Sequence, residues 1–169
     1  MKLAYFSPFG PQRSGIADYS EELLPHLARG AEIALFVDGF QPSNRELVSQ
    51  FEVCDYQKEP STLTQLERFD AVLYHLGNDH RYHAGIYDAM RQHSGVVVFH
   101  DFALQDFFLG LARARHDLRI YLDEVAGCHG AGARREAAET LARGGAPAMT
   151  AQPVEFPLNQ RLARGAEAI

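Results

Sequence analysis

The chain has 169 residues, a length that suits one domain and can bury a real core. Its 46% apolar and 22% charged content argues against disorder, and a net charge of −6 without any Lys/Arg-rich run speaks against a nucleic-acid or anionic-membrane surface. No apolar stretch approaches the roughly 20 residues of a membrane span and the N-terminal one is too short for a signal peptide, so a soluble cytoplasmic protein is expected.

Lys2 to Ser7 reads as a buried strand, stopped by Pro8, Gly10 and Pro11. A helix follows from about Gly15 to Arg29, with Ile16, Ser20, Leu23, Leu24 and Leu27 near one face and Ser14 as its N-cap. Pro25 predicts a kink or an early end, and Gly30 a C-terminal stop. Ala31–Val37 is a second strand, Arg45–Gln50 a short helix, Phe51–Tyr56 a weaker strand and Thr62–Arg68 a short helix. Asp70–Leu76 is a strong strand, His80–His93 a helix with Tyr82, Ile86, Ala89 and Met90 on its apolar side, and Gly95–Phe99 another apolar strand.

After Ala103 the character changes. Leu104–Ala114, Leu118–Cys128 and Ala133–Arg143 read as helices separated by glycine turns, and Phe156-Pro-Leu-Asn-Gln-Arg161 starts one more, with Pro157 near its first turn. Glu167-Ala-Ile169 reads as the opening of a further strand, which suggests a truncated or split chain. The expected fold is α/β, a doubly wound parallel sheet of Rossmann-like type with extra helices in the second half.

In such a sheet the first strand lies beside the fourth and the fourth beside the fifth, and ligands bind at the carboxyl ends. Those ends are Ser7-Pro8, Leu76-Gly77-Asn78-Asp79 and His100-Asp101, within roughly 10 Å of one another at two strand spacings. Gly15 at a helix start offers backbone amides to a phosphate, with Ser14 and Arg13 as further donors. The loop is neither a G-x-G-x-x-G nor a Walker motif.

Asp18 either favours the helix dipole or meets an acceptor, and Tyr19 reads as packing. His100 is suited to hydrogen-bonding a sugar hydroxyl or to proton transfer, or is a histidine satisfied by its neighbours. Asp101 orients that imidazole or caps the next helix, and Asn78 binds a hydroxylated ligand or makes a turn. His75, His80, His83 and His129 suggest a histidine-rich neighbourhood, but a metal site needs about three converging ligands and none is expected. Cys54 and Cys128 fit no metal or redox spacing and read as reduced thiols.

Ser7-Pro-Phe-Gly-Pro-Gln-Arg-Ser-Gly-Ile-Ala-Asp-Tyr-Ser20 resembles the opening of retaining glycosyltransferases of family 4. Tyr74-His-Leu-Gly-Asn-Asp79, Gly95-Val-Val-Val-Phe-His-Asp101 and Phe156-Pro-Leu-Asn159 resemble later blocks of the same N-terminal domain, in matching order. The resemblance implies residues 1–169 to be the acceptor-side domain of a two-domain GT-B hexosyltransferase. Such an enzyme uses a nucleotide-sugar co-substrate such as a UDP- or GDP-sugar, with no other cofactor and generally no metal.

By position, Gly15 would lie against the donor diphosphate and His100, as the catalytic residue, beside the transferred sugar. Asp18, Asn78 and Asp101 would face the acceptor or the cleft. Acceptor specificity is expected in loops and in the helices between Phe102 and Pro147. The donor domain and its paired-glutamate signature are missing from this sequence. The isolated chain is therefore expected to be inactive, and to self-associate through an uncovered apolar face. Two other readings stay open: a metal-dependent hydrolase using His75, His80 and His100, and a non-catalytic binding module of the same fold.

Overall fold

Strands that are apolar at nearly every position need cover on both faces. The computed structural model, which describes residues 1–169, builds that arrangement. Five strands, β1 (Lys2–Phe6), β2 (Glu32–Val37), β3 (Glu52–Asp55), β4 (Ala71–Leu76) and β5 (Val96–Phe99), form one sheet in the order β3-β2-β1-β4-β5. Every neighbouring pair is parallel, and helices lie on both sides. The α/β class and the expected placing of the first, fourth and fifth strands are both observed.

The connecting elements are α1 (Gly15–Leu27), α2 (Arg45–Gln50), a 3₁₀ segment (Pro60–Arg68) and α3 (His80–Gln92). The second half carries α4 (Gln105–Ala114), α5 (Arg119–Ala142) and α6 (Gln160–Gly165). The chain divides into two compact units. The first comprises Met1–Leu76, Tyr82–His100 and Ala166–Ile169 and holds the sheet, and the second comprises Gly77–Arg81 and Asp101–Gly165 and is helical. The change of character after Ala103 is the sequence trace of that division.

Within the first unit, side chains alternate between faces with period two. The register sets Tyr5 beside Leu35 and Leu73, so Leu3, Tyr5, Ile33, Leu35 and Leu73 share a face. Leu24 of α1 and Leu47 of α2 pack there, with Phe9. On the other face the Phe6 ring stacks on Phe36 at 4.6 Å and meets Tyr74 at 4.7 Å. Burying each such side chain contributes about 1.5–3 kcal/mol, which is why neither face can be left open. At the far edge, Ala168 forms a parallel bridge with Val96, and the Val97 amide donates to the Ala168 carbonyl. Glu167-Ala-Ile169 thus begins to pair as a strand, as its composition suggests.

Several local expectations are corrected. Helix α1 includes Pro25 but closes at Leu27, two residues short of Arg29, which is the early end that Pro25 predicts. Gly30 is not in the left-handed conformation of a glycine cap, and Ala28 caps the helix instead. Residues 60–68 wind as a 3₁₀ helix. The helices expected at 118–128 and 133–143 are continuous but for a break at Gly130, whose φ of 84° and ψ of 176° only glycine adopts readily.

Pro157 does not open a helix, since α6 starts three residues later. Phe156–Asn159 instead runs irregularly along the start of α4. The Leu104 amide donates to the Pro157 carbonyl at 2.7 Å, Gln105 Nε2 to the Phe156 carbonyl at 2.6 Å and Asn159 Nδ2 to the Phe102 carbonyl at 2.7 Å. Between them Leu158 is fully buried with φ of 55°, a strained conformation held by those flanking bonds.

Candidate functional site

The site builds from the carboxyl ends of β1, β4 and β5 in the first unit. Register pairs His75 with Val98, so the face that carries Tyr5 and Leu73 also carries His75, Val98 and, two residues on, His100. The His100 amide donates to the Leu76 carbonyl at 2.9 Å, extending the ladder one residue beyond β5. Here the two imidazoles meet: His75 Nδ1 lies 2.8 Å from His100 Nε2. The Tyr5 ring lies against His75 at 4.6 Å. Its hydroxyl donates to Ser20 Oγ at 3.1 Å, and Ser20 Oγ lies 2.7 Å from Ser7 Oγ.

Helix α1 crosses this edge with its first turn. Tyr19, one turn after Gly15, sets its ring edge against His100 at 4.9 Å and also faces His75 at 5.9 Å. The start of α1 and His100 therefore share one rim. Tyr19 is packing, as its sequence reading has it, yet what it packs on is the imidazole pair while staying 45% exposed itself.

The loop before α1 is held from behind. Glu21 accepts the Gly10 amide at 2.9 Å and Asn44 Nδ2 at 2.8 Å, and the Ser43 amide donates to the Gly10 carbonyl at 2.7 Å. Ser14 is the N-cap, its hydroxyl accepting the Ile16 amide at 3.3 Å, and its carbonyl accepts the Ala17 and Asp18 amides. The fan of free amides expected at this terminus thus narrows to that of Gly15. Open space lies in front of Gly15, where an added Cβ would touch nothing within 4 Å. Arg13 and Asp18 are exposed on the same loop and first turn.

Electrostatics divide the imidazoles. His75 is 1% exposed, and burial, reinforced by His100 and His83, pushes its pKa down to about 3. It is a neutral ring at any physiological pH. His83 Nδ1 lies 3.2 Å from the His75 carbonyl, on the backbone of β4. Burial also raises the Tyr5 phenol well above its ordinary range. His75 and Tyr5 are thus both held neutral, and no group of three His, Cys, Asp or Glu is disposed to hold a metal ion. His80 and His129 belong to the second unit, where the His129 and Phe156 rings meet edge to face at 5.0 Å.

In the second unit, Asn78 and Asp101 act on the backbone. The Asn78 amide donates to Asp101 Oδ2 at 2.8 Å, Asn78 Oδ1 accepts the Phe107 amide at 2.9 Å, and Asn78 Nδ2 reaches Asp106 at 3.2 Å. Phe107 is in the first turn of α4, whose own N-cap residue, Leu104, has no side-chain oxygen to offer. Asn78 supplies the missing cap from a loop remote in sequence. Asp79 accepts both the Arg81 amide and its guanidinium, which holds the carboxyl below the usual range. These bonds give both residues structural work, but not the work named above: the helix cap comes from Asn78 and not from Asp101, which instead holds the Asn78 amide.

Two shallow depressions of about 570 and 360 Å³ lie at the amino ends of the strands, away from this rim, and hold no comparable cluster. No helix is long and apolar enough to cross a membrane. Sequence reasoning missed the coupling of His75 to His100 and the Tyr19 contact. Strand parity (71, 73, 75 against 96, 98, 100) carries the first once the register is known. Comparison with protein-family models, curated proteins and solved structures finds no match to this chain.

Proposed function

We propose that this chain is the acceptor-binding half of a glycosyltransferase of the family 4 kind, working with a nucleotide-sugar donor bound mainly by a second domain. The observation that supports this most is the shared rim. Gly15 opens onto free space at the head of α1, and one turn later Tyr19 touches His100. A diphosphate at the helix terminus and a sugar beside the imidazole would then be neighbours, as one sugar nucleotide requires. In this reading Arg13 and the Ser14 hydroxyl assist the phosphates, His100 contacts the transferred sugar, and Asp18 faces the acceptor. Asn78 and Asp101 shape the loop beyond β4 rather than binding directly.

Leaving-group charge is the demanding part of the reaction, and Arg13 is the only cation of this loop. The isolated chain therefore gives no turnover with any UDP- or GDP-sugar, and clear product would contradict the half-enzyme reading. Binding is tested by titrating such sugars into the labelled chain and following backbone amides. We expect saturable millimolar shifts centred on Gly15 and His100, lost in Gly15→Asp, where a carboxylate repels the diphosphate. Shifts that avoid both residues for every sugar nucleotide tried would refute the assignment.

A further inference from the structure

We propose that His75 is a positioning residue that fixes the tautomer of His100, so that His100 meets its ligand as a hydrogen-bond donor from Nδ1 and not as a base through Nε2. The choice of a sugar as that ligand rests on the function proposed above, but the tautomer does not.

At 2.8 Å, one proton must lie between His75 Nδ1 and His100 Nε2. Two neutral arrangements satisfy this. In one, His75 carries its proton on Nδ1 and donates to the Nε2 lone pair of His100, which then carries its own proton on Nδ1. In the other, His100 donates from Nε2, and His75 must carry its proton on Nε2. The surroundings of His75 Nε2 separate the two. That atom is buried and has no hydrogen-bond partner. An N–H placed there loses its bond to water and gains nothing, whereas a bare lone pair is the milder loss. The first arrangement is selected.

A doubly protonated His75 would also place an N–H at that atom, and the low pKa of His75 is consistent with its exclusion. The ring is packed between Tyr5 at 4.6 Å and Tyr19 at 5.9 Å. The consequence is chemical. The Nε2 lone pair of His100 is already occupied by His75, so His100 cannot take a ligand proton there without breaking the pair. Its Nδ1–H suits an acceptor oxygen. Of the two roles open to His100 from sequence, hydrogen-bonding a hydroxyl oxygen is favoured over proton transfer.

The test is a ring-nitrogen to ring-proton correlation spectrum of the full chain, labelled with ¹⁵N-histidine, at neutral pH. We expect both His75 and His100 with protonated Nδ1 and bare Nε2, the minority form of free histidine in water. A proton on Nε2 of either ring overturns the proposal. His75→Asn keeps an N–H near the place of Nδ1 and should preserve the His100 form. His75→Phe keeps a ring but no donor and should return His100 towards the Nε2–H form. An unchanged His100 spectrum in His75→Phe overturns the proposal too. Should that variant not fold, the wild-type and His75→Asn spectra still decide. Failure of the glycosyltransferase reading would show in the sugar-nucleotide titration and leave these ring spectra as they are.

Discussion

Stability below pH 7 tests the burial of His75 most directly. Its pKa falls from 6.5 for an ordinary histidine to about 3 in the fold. The native state therefore refuses a proton that the unfolded chain accepts. The sign follows: the contribution is intact above pH 6.5 and is lost as pH falls from there towards 3. Linkage puts the loss at about 0.8 kcal/mol at pH 6 and about 2 kcal/mol at pH 5, where the slope reaches about 1.4 kcal/mol per pH unit. Other groups also titrate in this range, so the measurement is a difference: urea unfolding of wild type and of His75→Asn at pH 5, 6 and 8. Asparagine does not titrate. We expect the variant to be the less stable at pH 8, with a gap that narrows by about 2 kcal/mol at pH 5. A gap that stays constant across the three conditions would show that His75 is freely protonated in the fold, and the argument from its burial would fail.

Two further outcomes follow from the packing. Glu21→Ala removes two bonds to a charged acceptor and leaves the Gly10 amide without its partner; we expect a loss of about 2–4 kcal/mol in chemical denaturation, and a loss under about 0.5 kcal/mol would mean that the loop is not held by this carboxylate. Gly95→Ala would set a Cβ 2.6 Å from the Val72 carbonyl oxygen, where β4 cannot yield without breaking its ladder; destabilisation of about 1–3 kcal/mol or more is expected, and a thermally neutral variant would show the β4–β5 spacing to be looser than described.

Much of the fold is legible in the chain because period and punctuation are local. Val96–Phe99 is apolar throughout, so it can only be a strand covered on both sides, and the alternation of strand and helix before it leaves a parallel sheet as the natural solution. Ser14 is legible as a cap and accepts the amide two residues on, and Asn44, not assigned as one from sequence, does the same for the next helix. Where local rules failed, a distant partner intervened. Phe156–Asn159 has the composition of a helix start, but its carbonyls are taken by Leu104 and Gln105, about fifty residues earlier. Asn78 resembles a ligand-binding turn residue, but its side chain completes a helix that lacks a cap of its own.

From sequence alone came the residue types at the rim: a glycine at a helix head, and a histidine at the mouth of a buried strand. These depend only on neighbours along the chain. The pairing of His75 with His100, the Tyr19 ring set against both, and the partnerless nitrogen that sets their protons were decided by strand register and helix placement. Such contacts join residues twenty-five or more positions apart, and only the packing of the sheet brings them within reach of one another.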